Sequence, residues 1–242
     1  TINDEIIRTN PLVGALLQIA VISKILDCSK LKRAGDVRYK TEKELLKGTP
    51  DIVESVVRHL RLMAADCLRC PEATGFARLA CTNAKQIQSL DSFSIDGVIT
   101  SPPYLNGTNY FRNTKLELWY MRDIVNNTSL RGFRDEVITS GINDVTTKKG
   151  NFVHPKVTDI VSDLEKNSYD QRIARMVAGY FEEMELVIKG LAHHLINGSK
   201  ACIDIGDSSY AGIYIPTHDI LSAIADEHGL KTLETITLRK RK

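Results

Sequence analysis

The chain has 242 residues, 43% hydrophobic and 26% charged, a balance that supports a full buried core and argues against a disordered protein. Its formal charge of +2 implies no bulk attraction to nucleic acid. Only the basic clusters at 29–40, 146–150 and 239–242 offer phosphates a surface, and each reads first as a solvated face or a frayed end. No apolar run approaches the ~18–20 residues that cross a bilayer, and no signal sequence opens the chain. Five cysteines are too few and odd for a disulfide framework, so a cytoplasmic location is expected.

In chain order, apolar residues recur at three- and four-residue spacing over 12–26 and again over 51–64, which predicts two helices. Gly48 and Pro50 separate them, with Pro50 placed to open the second. Cys67 and Cys70 form a lone C-x-x-C with only Cys81 near; a structural zinc needs four ligands, so packed helical cysteines are expected and no metal is assigned. Residues 75–84 read as a short strand and 92–100 as a second. Residues 105–165 are rich in turn-forming combinations, and 120–170 reads as a loop-rich insertion in a single domain spanning 1–242. Helical spacing returns over 172–195, with apolar residues at 176, 177, 180, 181, 184, 187, 188 and 191, and ends at the Asn197-Gly198 stop. A strand at 200–208, a helix at 217–229 capped by Thr217 and an edge strand at 230–242 follow. Strands alternating with helices imply an α/β fold with a mostly parallel central sheet.

The second strand ends unusually, in "DGVITSPPYLNG". Two adjacent prolines cannot continue a ladder, because each lacks an N–H and has φ held near one value. The strand therefore stops at Thr100 or Ser101. A stiff corner then presents a serine hydroxyl and a phenol at a strand's carboxyl end, where open α/β sheets bind ligands. On the tetrapeptide alone, a rigid connector whose tyrosine caps a core reads equally well.

The stretch "IDGVITSPPY" resembles the catalytic motif of the S-adenosylmethionine-dependent DNA amino-methyltransferases, in which a strand ends in Ser/Asp/Asn-Pro-Pro-Tyr/Phe beside the methyl donor. The segments "RLACTNAKQI", "YFEEMELVIKGLAHHLINGSKACIDIGDS" and "GIYIPTHDILSAIADEHGLKTLETITLRKRK" are similar to that family's neighbouring strands and helices, in the same order. The resemblance implies a Rossmann-like three-layer sandwich, S-adenosylmethionine as cofactor and DNA as partner, in a restriction-modification setting. The Ser-Pro-Pro-Tyr form implies methylation of cytosine N4, with adenine N6 as the alternative.

Carried over residue by residue, Ser101, Pro102, Pro103 and Tyr104 are the implied catalytic corner. Ser101 and a carbonyl near Pro102 would draw the target amino nitrogen toward tetrahedral geometry, and Tyr104 would stack on the extruded base. Asn10, Asn83, Thr100 and Asp207 are implied cofactor contacts, although Asn83 reads equally as a turn residue bonding its own backbone. Asn106, Asn109, Tyr110 and Arg112 are implied contacts to the base or a phosphate, or else solvated loop residues. Leu116 and Trp119 are expected in the core, and His193 and His194 as ordinary cations at a helix end.

Two features depart from the family. No Gly-x-Gly occurs in the chain, so the glycine-rich cofactor loop is missing. Arg8 also stands where an acidic residue would hold the cofactor's ribose, two positions before Asn10. Three readings follow: a missing N-terminal segment, a second chain that completes the cofactor site, or a split or non-catalytic half-domain that holds DNA or a partner. An RNA or protein amide methyltransferase is the other enzyme reading.

Overall fold

The computed structural model describes residues 8, 10–34, 36–70, 75–91, 93–106, 110–145 and 154–239. The chain divides into two compact units, Thr1–Arg78 with Tyr110–Arg131, and Leu79–Asn109 with Gly132–Lys242.

In the first unit, helix α1 (Pro11–Ile22) starts where Asn10 accepts the Val13 amide at 3.2 Å and Pro11 fills the first turn. Strands β1 (Leu31–Arg33) and β2 (Val37–Tyr39) pair antiparallel. The short α2 (Glu42–Leu45) follows, opened by a capping box between Thr41 and Glu44. Helix α3 (Ile52–Arg69) is capped by Asp51, which accepts the Glu54 amide at 2.8 Å, so Pro50 lies before the cap and not in the helix. Helices α4 (Tyr110–Asn113) and α5 (Lys115–Tyr120) complete the unit. Trp119 is 61% exposed, against the expectation of a core residue; with Leu116, Leu31, Ile124 and Leu130 it lines an open apolar cavity of about 410 Å3. Helix α6 covers Asn127–Glu136.

The second unit is built on one long helix. After a 3-10 turn at Ala84–Ser89 come strand β3 (Ile95–Thr100), helix α7 (Pro155–Asn167), helix α8 (Arg172–His194) and strand β4 (Leu195–Ile203). A hairpin of β5 (Ser208–Tyr210) and β6 (Ile213–Ile215) leads into helix α9 (Thr217–Glu227). All eight apolar positions read in α8 are buried. Six of them, Met176, Val177, Tyr180, Phe181, Met184 and Ile188, pack with Val157 and Leu164 of α7, Ile220 and Ile224 of α9, Ile215 and Leu105, each worth roughly 1.5–3 kcal/mol of burial. At the hairpin, Ala211 and Gly212 both have positive φ (52° and 77°), the type I′ geometry whose twist matches the flanking strands.

Several expectations are corrected. Residues 75–82 form no strand, because no neighbouring segment among the described residues offers them a ladder. The expected loop at 120–170 contains α6 and α7. In α7, Val157, Ile160, Val161 and Leu164 carry helical spacing, and the His154-Pro155 pair that reads as a turn is the helix's own cap and first residue. Helix α8 does not end at a glycine stop. It passes directly into β4, which runs over 195–203 and not 200–208. Gly198 (φ +85°) instead lies in a bulge where Ile95 to Gly97 on β3 faces Leu195 to Lys200 on β4. Pro216, not Thr217, precedes α9 as its cap. Residues 230–239 form no strand, and 240–242 lie outside the described residues.

Helix and sheet are mixed, as an α/β fold requires, and β3 pairs parallel with β4. Among the described residues, however, each sheet has only two strands, so no wide parallel sheet is formed. No helix of the described residues is long and apolar enough to cross a membrane.

Candidate functional site

The corner at 101–104 is held from both sides. Upstream, the Thr100 carbonyl accepts the Asp204 amide at 2.9 Å, one rung beyond the end of β4. Downstream, Leu105 is fully buried in the α8 core, and its carbonyl accepts the hydroxyls of Ser208 and, at 3.5 Å, Tyr210. Burial pushes the Tyr210 phenol up to about 12, so it remains a donor at any working pH. The Asn106 amide folds back onto the Tyr104 carbonyl at 2.7 Å. Pro102 is buried while Ser101 stays exposed. A rigid corner thus offers one hydroxyl to solvent.

The side chains of this corner form a directed hydrogen-bond chain. The Ser101 hydroxyl donates to the Tyr104 hydroxyl at 3.2 Å, which donates to the Asp204 carboxylate at 2.6 Å. A carboxylate only accepts, so it orients both hydrogens toward itself and leaves the Ser101 lone pairs facing outward. Gly206 lies beside the Tyr104 ring, where an added Cβ would stand 3.9 Å from Cδ2, an ordinary contact.

Asp204 is the member that sequence reasoning missed. It is an acid within the apolar run "CIDIG", opposite the end of β3, but the sequence reading singled out Asp207. The structure places Asp207 in a separate group. It accepts from the Tyr214 hydroxyl at 2.6 Å, the His218 ring at 2.8 Å and the His218 amide at 3.1 Å. Burial alone would raise its carboxyl, but these hydrogen bonds outweigh it and hold the group below the usual carboxylate range. The same carboxylate raises the Tyr214 phenol.

Each of the other sequence-derived candidates among the described residues has its own local setting. Asn83 caps the 3-10 turn, its side chain accepting the Lys85 amide at 3.1 Å. Thr100 joins the corner through its carbonyl. Asn106 follows the corner and is exposed; Asn109 lies outside the described residues. Asn10, Tyr110 and Arg112 belong to the first unit, where Asn10 caps α1, Tyr110 opens α4 and Arg112 pairs with Asp36 at 3.6 Å. Asn83, Thr100 and Asp207 thus belong to three separate hydrogen-bonded groups, and Asn10 to the other unit. Among the described residues no three His, Cys, Asp or Glu side chains converge as metal ligands.

The chain is 25% identical over 252 residues to the Type II methyltransferase M.BsoBI of Geobacillus stearothermophilus, a match covering 90% of this chain and 48% of that protein. It is 28% identical over 242 residues to the Type II methyltransferase M.AvaI of Nostoc sp. (strain PCC 7120 / SAG 25.82 / UTEX 2576), and equally to M.AvaI of Anabaena variabilis, covering 88% of this chain and 47% of each. Residues 101–104 and 204 lie too far from the chain ends to fall outside matches of that extent. The chain spans about half the length of the curated relatives it matches. No family model matches it, and no solved structure does.

Proposed function

We propose that this chain is the part of a DNA methyltransferase that orients an exocyclic amino group, N4 of cytosine in duplex DNA, for methylation with S-adenosylmethionine as donor. The observation that carries the reading is the Ser101–Tyr104–Asp204 hydrogen-bond chain beside two parallel strand ends, in a sequence similar to Type II methyltransferases along about nine-tenths of its length.

The chemistry follows from the direction of those bonds. An amino nitrogen on a pyrimidine is a weak nucleophile because its lone pair is delocalised into the ring. Acceptors for its two hydrogens draw it toward tetrahedral geometry and localise that pair. Ser101 Oγ can accept one hydrogen because its own proton is committed to Tyr104, and a carbonyl near Pro102 would accept the other. S-adenosylmethionine, when bound, supplies an electrophilic methyl group. The surplus amino proton leaves by the same path: it moves to Ser101 Oγ as the serine proton passes to Tyr104 and the tyrosine proton to Asp204. The half-buried Tyr104 ring is left to stack on an extruded base. In this reading Asn106, Tyr110 and Arg112 contact the base or a phosphate, and 120–170 belongs to the DNA-reading part of one methyltransferase domain.

Nucleoside mass spectrometry tests the reading. DNA incubated with S-adenosylmethionine and this chain, together with the portion of M.AvaI that the chain does not match, is expected to gain N4-methylcytosine. A gain of N6-methyladenine instead would reassign the target atom. Neither product, from a mixture in which the two polypeptides demonstrably associate, would overturn the assignment.

A further inference from the structure

The turn that carries Asp204 joins β4, which ends at Ile203, to β5, which starts at Ser208. Asp204 itself is exposed, so burial cannot set the direction of its carboxylate, and anchors on either side must do so. On the near side the Asp204 amide is fixed to the Thr100 carbonyl at 2.9 Å. On the far side Ile205 packs against the α8 core, and the Ser208 hydroxyl donates to the Leu105 carbonyl. Between them stands Asp207, separated from Asp204 only by Ile205 and Gly206. It accepts from three donors on β6 and α9: the Tyr214 hydroxyl at 2.6 Å, the His218 amide at 3.1 Å and His218 Nδ1 at 2.8 Å.

One of these bonds is a helix cap supplied from elsewhere in the chain. Pro216, at the cap position of α9, makes no side-chain cap, and the Thr217 hydroxyl donates back to the Ile215 carbonyl at 3.4 Å. Asp207, eleven residues before His218, takes that place and accepts a first-turn amide. Its carboxylate also faces the positive end of the helix. The helix is a firm post, because Thr217, Ile220, Leu221 and Ile224 are all buried. Both Asp207 oxygens are engaged, Oδ1 by His218 and Oδ2 by Tyr214. Three donors on a carboxylate with about four acceptor positions suit an anchor better than a direct contact to a cofactor. We propose that Asp207 is a positioning residue: by capping α9 from outside the helix and holding Tyr214 and His218, it fixes the 204–208 turn and aims the Asp204 carboxylate at Tyr104. What that aim does chemically rests on the proposed methyl transfer; the anchoring does not.

Two measurements test it. In the purified chain, Asp207→Ala is expected to speed hydrogen exchange at the Asp204 amide at least about tenfold while the amides of α8 keep their rates. His218→Ala is expected to do so in part, and His218→Asn, whose amide replaces the Nδ1 donor, to keep the wild-type rate within about twofold. In the mixture of DNA, S-adenosylmethionine and the unmatched portion of M.AvaI, Asp207→Ala is expected to lower kcat at least about tenfold, with KM for cofactor and DNA within about twofold. An Asp204 amide that exchanges at the wild-type rate in Asp207→Ala would overturn the anchor. So would equal acceleration along α8, which means global loosening, or a His218→Asn chain no better than His218→Ala. A raised KM for S-adenosylmethionine with kcat retained would make Asp207 a cofactor contact instead. A wild-type mixture without product would count against the proposed transfer alone, because the exchange rates are read in the free chain.

Discussion

Asp204 gives the corner its direction, because a carboxylate at one end of a hydrogen-bond chain forces every hydroxyl before it to donate the same way. Asp204→Asn preserves size but offers an amide that can also donate. It is expected to lower kcat about 100-fold while leaving KM for DNA within about twofold, in line with the loss of one preorganised electrostatic partner. Tyr104→Phe keeps the ring and breaks the relay, so it is expected to act likewise. Full activity in both variants would remove the relay from the mechanism. Asp207 belongs to a different argument. Its folded carboxyl is held low, so its contribution to stability is fully present above the unfolded value near 3.9 and is lost as pH falls through the lowered folded value. The difference in thermal midpoint between wild type and Asp207→Asn should be flat between about pH 5 and 7 and shrink below about pH 4. A difference that instead grew on acidification would show that Asp207 is not held low.

At the scale of elements, α8 organises the second unit. Its apolar face is legible because a 3.6-residue period shows wherever one face is buried. Its polar contacts are not, because they depend on what packs beside it. Glu183, buried on α8, accepts from Lys85 at 3.0 Å and from the Thr139 amide at 2.6 Å, tying the 3-10 turn and the 137–140 segment to the helix. Glu183→Ala leaves the part-buried Lys85 ammonium with only the Val137 carbonyl, at 3.3 Å, and is expected to cost about 3 kcal/mol in chemical denaturation. His194 is buried, with its ring nitrogens 3.1 Å from the Phe93 carbonyl and 2.9 Å from the Ile87 carbonyl, and it stacks on Phe93. It is a clasp between segments and not the surface cation expected at a helix end. Gly190 lets the 3-10 turn approach: a Cβ there would meet the Gln88 main-chain nitrogen at 2.9 Å. Gly190→Ala is therefore expected to lower the melting temperature despite its better helix propensity; a rise would show that the 3-10 turn gives way freely.

At the scale of the whole molecule, the exposure of Ile99 on β3 and of its register partner Cys202 on β4 leads to a solution property. The chain is expected to bind a hydrophobic dye such as ANS under native conditions. Native chain that binds no dye would mean these residues are covered. By itself the sequence determined that a strand must stop at Thr100 or Ser101, because two prolines end a ladder wherever they occur, and that a helix with a buried face runs over about 172–195, because periodicity is a local signal. Only the tertiary structure decided that Asp204, and not Asp207, closes the corner. That choice rests on the parallel register of strands whose contacting residues are a hundred positions apart, and pairing between distant segments is not written in the local pattern of either. The same reason explains the missing strands at 75–82 and 230–239. Alternating apolar residues state a capacity to pair, and a strand forms only where another lies beside it.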